Sequence, residues 1–212
     1  METLALKVNP LQPESEIIER AGEAIRRGEL VAFPTETVYG LGADAFNNEA
    51  VARVFEAKSR SANNPLPVQV ASKEDILKVV AELPDAAQQL IEKFFPGPLT
   101  LVLRASPDLP DMITAGTGKV GVRMPDHPVA LALIKAAGRP IVAPSANISG
   151  QPAPVTAEEV LAYLNGMIEI VLDAGPTRLK VASTVLDVTQ TPPKVLRAGS
   201  ISKNMLAKYT TL

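Results

Sequence analysis

Short apolar runs alternate with helix-period segments along nearly the whole of this 212-residue chain, and that alternation limits the folds open to it. The runs at residues 30–33, 66–70, 99–103, 120–123, 141–143, 168–172, 183–188 and 194–196 have the length and the Val, Leu and Ile content of buried strands. Between them, Ile17, Ile18, Ala21, Ala24 and Ile25 follow a helical period that Gly28 can stop. Residues 47–58 repeat the pattern, with Val51, Val54 and Phe55 on one face and an Asn as cap. Ser72 with Asp75, and Thr156 with Glu159, mark two more helix starts. The expected architecture is α/β (α+β in some schemes): a sheet with helices on its faces. The close spacing of strands after Ile168 adds antiparallel pairs, so the sheet should be mixed.

The length suits one domain over residues 1–212, since domains typically run about 100–200 residues. Apolar residues make up 46%, enough for a filled core, and 19 single prolines punctuate turns instead of forming a linker. The chain has no cysteine, which excludes disulfides, thiolate metal sites and cysteine nucleophiles. Its 21 Lys+Arg against 23 Asp+Glu leave a net charge of -2, so an anion site must be built by local clustering. No signal-peptide pattern or membrane-length apolar stretch appears, and the expectation is a cytoplasmic protein without membrane contact.

The common catalytic motifs fail. Gly116-Thr117-Gly118-Lys119 lacks the spacing and the Ser/Thr of a P-loop. Gly40-Leu41-Gly42-Ala43-Asp44-Ala45 matches G-x-G-x-x-A but begins six residues beyond the preceding strand, with no placed acid to follow. His127, the single histidine, reads as part of a helix start, with Asp126 as cap and Pro128 in the first turn.

What remains is a series of polar segments at strand or helix ends: residues 34–42, 58–66, 122–125, 143–150, 182–187 and 195–199. Each has a structural explanation by itself, as a cap, a turn or a strand end. Together they offer Lys and Arg for phosphate beside hydroxyls and amides for smaller groups, which suits a polyanion plus a small polar ligand.

The segments Pro-Thr-Glu-Thr-Val-Tyr-Gly-Leu-Gly, Lys-x-Arg followed by Asn-Pro-Leu, Val-Arg-Met-Pro and Pro-Ser-Ala-Asn-x-Ser-Gly occur here in that order. The chain thereby resembles the YrdC-domain family of threonylcarbamoyl-AMP synthases over nearly its whole length, in the short form without an extra C-terminal domain. The resemblance implies a three-layer, mixed, strongly twisted sheet with a large concave cleft. It implies a reaction joining L-threonine, bicarbonate or CO2, and ATP into threonylcarbamoyl-AMP and pyrophosphate, in service of tRNA modification. By position, Lys58, Arg60, Asn64, Lys119, Asn147 and Arg197 fall where the family holds ATP. Thr35, Gln69, Arg123, Ser145 and Ser183 fall near the threonine, with Thr37 able to stand in for Thr35. Ser59 and Ser61 stand where the family often has Gly and Pro, and Gln69 where it often has His. No protein nucleophile and no protein-held metal are implied; magnesium would arrive on ATP. The partners implied are the small substrates, tRNA and the downstream transfer machinery. Residues 60–67 are the candidate lid.

Two other readings stay open. One is an RNA-binding module of the same fold, for which a net charge of -2 and 5 Phe plus 3 Tyr offer little, leaving weak RNA contact at most. The other is a carbamoyl-adenylate-forming enzyme with a different acceptor.

Overall fold

A computed structural model describes residues 2–211. In chain order the first half runs β1 (Leu4–Lys7), α1 (Ser15–Arg26), β2 (Val31–Phe33), β3 (Gly40–Asp44), α2 (Asn48–Ala57), β4 (Pro67–Gln69), α3 (Lys73–Val79), α4 (Asp85–Phe94) and β5 (Leu99–Arg104). It continues with α5 (Asp111–Thr114), β6 (Lys119–Arg123), α6 (Pro128–Ala137), β7 (Ile141–Val142), α7 (Ala157–Leu164), β8 (Ile170–Asp173), β9 (Thr184–Asp187), β10 (Lys194–Arg197) and α8 (Lys203–Leu206). The strands form a mixed ten-stranded sheet in the order β1-β8-β2-β3-β7-β4-β6-β5-β9-β10. β8 runs parallel to β1 and β2, β4 to β6, and β5 to β9, while the other neighbours are antiparallel.

Because side chains alternate across a strand, the register carries one apolar stripe along the sheet. Ala32 pairs with Leu41, Ala43 with Val142, Val142 with Val68, Val68 with Val122, Val122 with Leu101 and Leu101 with Leu186. All of them belong to one core, which α2, α3, α4 and α7 cover through Val51, Val54, Ile76, Leu90 and Val160. The opposite face is covered only in part. Val31, Phe33, Ile141, Ile170 and Leu172 pack there against Ile18, Ala21, Ile25, Leu133 and Ile134 of α1 and α6. The sheet is therefore a middle layer between helices, and its β4-β6-β5-β9 side lies beyond the α1–α6 pair.

Two glycine positions let this second layer close. A Cβ on Gly42 would come within 3.0 Å of the Phe33 ring, and one on Gly22 within 2.7 Å of the Ala136 Cβ, where α1 and α6 touch. Thus the Gly40–Asp44 segment, expected as a loop through Gly42, is a strand whose glycines make room for Phe33. β1 also lies outside the expected strands; its four residues, Leu-Ala-Leu-Lys, are too short for periodicity to signal.

Helix caps follow the sequence closely, with one correction. Asn47, Ser72, Thr156 and Ser202 accept backbone N–H groups at the starts of α2, α3, α7 and α8. At α6 the cap is His127 and not Asp126: its Nδ1 accepts from the Val129 N–H at 3.2 Å, while Asp126 pairs with Arg178 at 2.7 Å. Burial is the first cause that lowers the His127 pKa from its ordinary value, against the attraction of Glu36 and Asp126. A folded pKa below the unfolded one means that the unfolded chain binds more protons as pH falls below about 6.5. Stability should then drop as pH falls from 6.5 toward 5, as the protonated imidazole loses its acceptor. Urea unfolding should show that slope in the wild type and a shallower one in His127→Asn, which keeps a cap worth about 1 kcal/mol. An unchanged slope would refute it.

Candidate active site

The half of the sheet face that α1 and α6 leave uncovered is the floor of a cavity of about 570 Å³. Residues that alternate with the apolar stripe supply it: Pro67 and Gln69 from β4, Lys119, Gly121 and Arg123 from β6, Thr100 and Val102 from β5, and Val185 and Asp187 from β9. The loops before β3 and after β7 form one wall, with Thr35, Thr37, Tyr39, Ser145 and Asn147. Arg60, Ser183 and Arg197 close the others. Gly121 keeps the floor low, since a Cβ there would lie 3.0 Å from the Thr100 methyl.

The cations differ in whether anything balances them. Arg123 lies 2.7 Å from the Glu36 carboxylate, and Lys119 lies 3.0 Å from Asp187. Arg60 instead donates to the Asn64 and Pro65 carbonyls at 3.2 and 2.8 Å. Arg197 donates to the Ser183 carbonyl and, at 3.0 Å, to its hydroxyl. Lys58 is wholly buried, and its Nζ donates to the Ser145 carbonyl and, at 2.6 Å, to that of Asn147. Carbonyl dipoles orient these three cations but carry no net charge. Their pKa values show the strain: burial, then the positive charge of Arg60, pushes Lys58 down to about 8. Arg60 is lowered by burial and then by Arg197, and Arg197 by burial and then by Arg123. An entering polyanion would relieve that repulsion.

Around the neutral pairs lie uncharged acceptors. Asn147 donates its amide to the Ile148 and Gln151 carbonyls at 2.9 and 2.7 Å, which fixes the flip and leaves Oδ1 buried without a partner. The Gln69 Oε1 is likewise buried and unpartnered. An orphaned acceptor in a cavity wall is a demand for a donor. The Thr35 hydroxyl donates to the Val38 carbonyl at 2.6 Å and accepts the Thr37 N–H at 3.1 Å, so it shapes its own turn. The Ser183 hydroxyl lies 2.8 Å from that of Thr100.

Ten of the residues singled out in the sequence therefore share the cavity: Arg60, Lys119, Asn147, Arg197, Thr35, Thr37, Gln69, Arg123, Ser145 and Ser183. Two do not line it. Lys58 sits beneath the wall and ties α2 to the Ser145–Asn147 loop, and Asn64 is exposed, meeting Arg60 through its backbone carbonyl. Lys119 is in place but already neutralised. Glu36, Tyr39, Thr100 and Asp187 were passed over as site residues. Alternation alone points to Asp187, four residues along the same strand face as Ser183, and to Thr100 between Leu99 and Leu101.

Comparison with known proteins agrees with this geometry. The Sua5/yciO/yrdC family model, described as telomere recombination, matches residues 23–199. A Pyrococcus abyssi protein named threonylcarbamoyl-AMP synthase is 51% identical over 191 residues, 90% of this chain and 56% of its own. A Mycobacterium tuberculosis protein named putative threonylcarbamoyl-AMP synthase is 42% identical over 94% of this chain and 91% of its own. The crystal structure of P. abyssi Sua5 complexed with L-threonine superposes with a TM-score of 0.95 at 48% identity, covering 98% of this chain and 61% of that one. The chain thus spans little more than half the length of its P. abyssi relative.

The balance at Lys119 is testable without reference to any reaction. Asp187 is pushed up by burial, but the hydroxyl and N–H of Thr189 and the Lys119 ammonium outweigh that and hold its carboxyl below the ordinary value. Asp187→Asn leaves the shape and frees Lys119. Inorganic pyrophosphate should then bind about 3- to 10-fold more tightly at low salt by calorimetry, with the gain shrinking as salt rises. Equal affinity in both proteins would show that the pair does not restrain Lys119.

Proposed function

Because the chain belongs to the Sua5/yciO/yrdC family, we propose that it forms threonylcarbamoyl-AMP and pyrophosphate from L-threonine, bicarbonate or CO2, and ATP. The observation that carries this reading is one cavity lined by cations of two kinds: Arg60 and Arg197, held by carbonyls with Lys58 beneath the wall, and Arg123 and Lys119, each paired with a carboxylate. A triphosphate suits the first. A zwitterionic amino acid, with no net charge, suits the second.

The chemistry needs alignment more than a protein nucleophile. The threonine ammonium gives up a proton to solvent, and the free amine adds to CO2 and loses a second proton to solvent or bicarbonate, to give an N-carboxylate. A carboxylate oxygen then bonds to the α-phosphorus of ATP as the bond to the bridging oxygen breaks, and pyrophosphate leaves with that electron pair. Arg60 and Arg197 would offset the triphosphate charge, with Lys119 joining them on leaving Asp187. Lys58 would act from beneath by fixing the loop that presents Asn147 and Ser145, and Asn64 by anchoring Arg60. Arg123 would hold the threonine carboxylate, and the orphaned oxygen of Gln69 and the hydroxyls of Thr37, Ser145 and Ser183 would receive its polar hydrogens. Thr35 would contribute through the turn it closes, and residues 60–67 are proposed as the lid.

Magnesium would come with ATP and neutralise phosphate charge. Asp187 is the one carboxylate among the cavity's lining residues, and no three His, Cys, Asp or Glu converge among the described residues. The same proposal makes residues 1–212 one catalytic domain, of which Met1 and Leu212 lie outside the described residues. Its product would pass to the machinery that modifies tRNA, in the cytoplasm, with weak RNA contact compatible with that role. No described helix is long and apolar enough to cross a membrane.

Incubation with ATP, bicarbonate and L-threonine should yield a threonylcarbamoyl adenylate by mass detection, together with pyrophosphate that depends on threonine. Pyrophosphate release with another amino acid and none with threonine would replace the acceptor and sink the reading. Arg60→Ala should lower adenylate formation by about 100-fold, mainly through ATP, because one charge-assisted contact on phosphate is lost. Arg123→Ala should raise the threonine KM more than the ATP KM. Equal effects of Arg123→Ala on both substrates would contradict the division of the cavity.

A further inference from the structure

The Arg123 guanidinium is held from behind on two of its edges. Its Nε donates to the Gly97 carbonyl at 3.1 Å, and its Nη2 lies 2.7 Å from the Glu36 Oε2. Among the described residues no protein group pairs with Nη1. The two side chains are 7% and 1% exposed, and neither a Glu36 oxygen nor Arg123 Nη2 has an aligned hydrogen bond, so the contact is an ion pair and, among the described residues, Arg123 is the carboxylate's one salt-bridge partner. The Glu36 backbone is fixed as well, its carbonyl accepting the Leu179 N–H at 2.8 Å and its neighbour Thr35 closing the turn. His127 is the other titratable group that feels this carboxylate, and burial favours its neutral form. Glu36 does not line the cavity, whereas Arg123 does.

We propose that Glu36 is the positioning residue for Arg123, and that the pair favours a zwitterionic α-amino acid by offsetting the charge of the guanidinium that meets its carboxylate. This rests on the reading of the cavity as an ATP and amino-acid site. A bare guanidinium beside Arg197 would draw any anion, the triphosphate or the released pyrophosphate included. With Glu36 behind it, Arg123 still offers its free N–H edge to a carboxylate, but the long-range attraction is cancelled. A ligand that carries its own ammonium is then favoured over one that brings net negative charge, and the polyphosphate is left to Arg60 and Arg197. The arrangement discriminates by charge count as well as by contact, which a guanidinium held only by carbonyls would not do.

The test compares three ligands on wild type and Glu36→Gln: L-threonine, ATP, and 2,3-dihydroxybutanoate, which is threonine with a hydroxyl in place of the ammonium. In Glu36→Gln the threonine Kd should rise at least about tenfold, because the unbalanced Arg123 guanidinium then repels the ligand's ammonium. The dihydroxybutanoate should bind as well as before or better, and the ATP Kd should stay within about threefold. Loss of all three to the same extent would mean a merely structural carboxylate and would overturn the proposal, as would unchanged threonine binding. Should Glu36→Gln fail to fold, nitrogen-15 spectra of the arginine side chains in the wild type decide instead. A locked Arg123 gives separate, slowly exchanging Nη signals before any ligand is added, and an averaged signal overturns the proposal. Failure of the wild type to bind threonine at all overturns the reading of the cavity and this inference with it. Normal threonine binding by both proteins overturns only the role of Glu36.

Discussion

A strand has two faces, and in this molecule they have opposite chemical duties over half of the sheet. Val68, Val122, Leu101 and Leu186 pair across β4, β6, β5 and β9 on the covered side. Each such side chain contributes about 1.5–3 kcal/mol when buried. That term fixes the register, and the register fixes the floor of the cavity. A slip of one residue would drive Gln69, Arg123 and Asp187 into an apolar layer, at a cost of several kcal/mol for each charge left without a partner. The polar array is thus placed by the hydrophobic one behind it, and it needs few contacts of its own to stay there.

The same constraint explains where the counter-ions sit. Floor residues are anchored in strands and cannot retreat, so a cation among them either meets an anion or remains uncompensated. Arg123 and Lys119 have met theirs in Glu36 and Asp187. Lys58, Arg60 and Arg197 come from a helix end, a loop and the edge strand, and they bond to carbonyls instead. The resulting asymmetry gives the cavity a direction. Under the proposed function, polyanion and zwitterion would be favoured by different cations of the cavity.

Much of this was legible in the sequence, because the strands that build the core are short, apolar and bounded by Pro, Gly or polar clusters. Runs such as Leu99–Arg104 announce both the strand and, through Thr100 and Val102, its second face. The caps at Asn47, Ser72 and Thr156 were equally plain, since capping is local chemistry. What escaped depended on contacts distant in sequence. Gly40 and Gly42 read as a loop because the reason for them, the Phe33 ring on the neighbouring strand, is not in the segment itself. Asp126 looked like the cap of α6 until Arg178, 52 residues away, was seen to hold it. Nothing local to Lys58 shows that two carbonyls, 87 and 89 residues on, receive its ammonium.

Lys58 also shows how a buried cation outside the cavity lining can shape the wall. Its ammonium holds the Ser145 and Asn147 carbonyls, turning that loop so that the Asn147 amide side chain lies in the cavity wall with its oxygen unpartnered. Burial, and then the neighbouring Arg60, pushes its pKa down to about 8, so phosphate bound at Arg60 would offset the second of these causes. A charged Lys58 grips the loop more firmly than a neutral one, because a charge-assisted hydrogen bond is roughly twice as strong as a neutral one. Lys58 thus sets the Ser145–Asn147 wall from beneath.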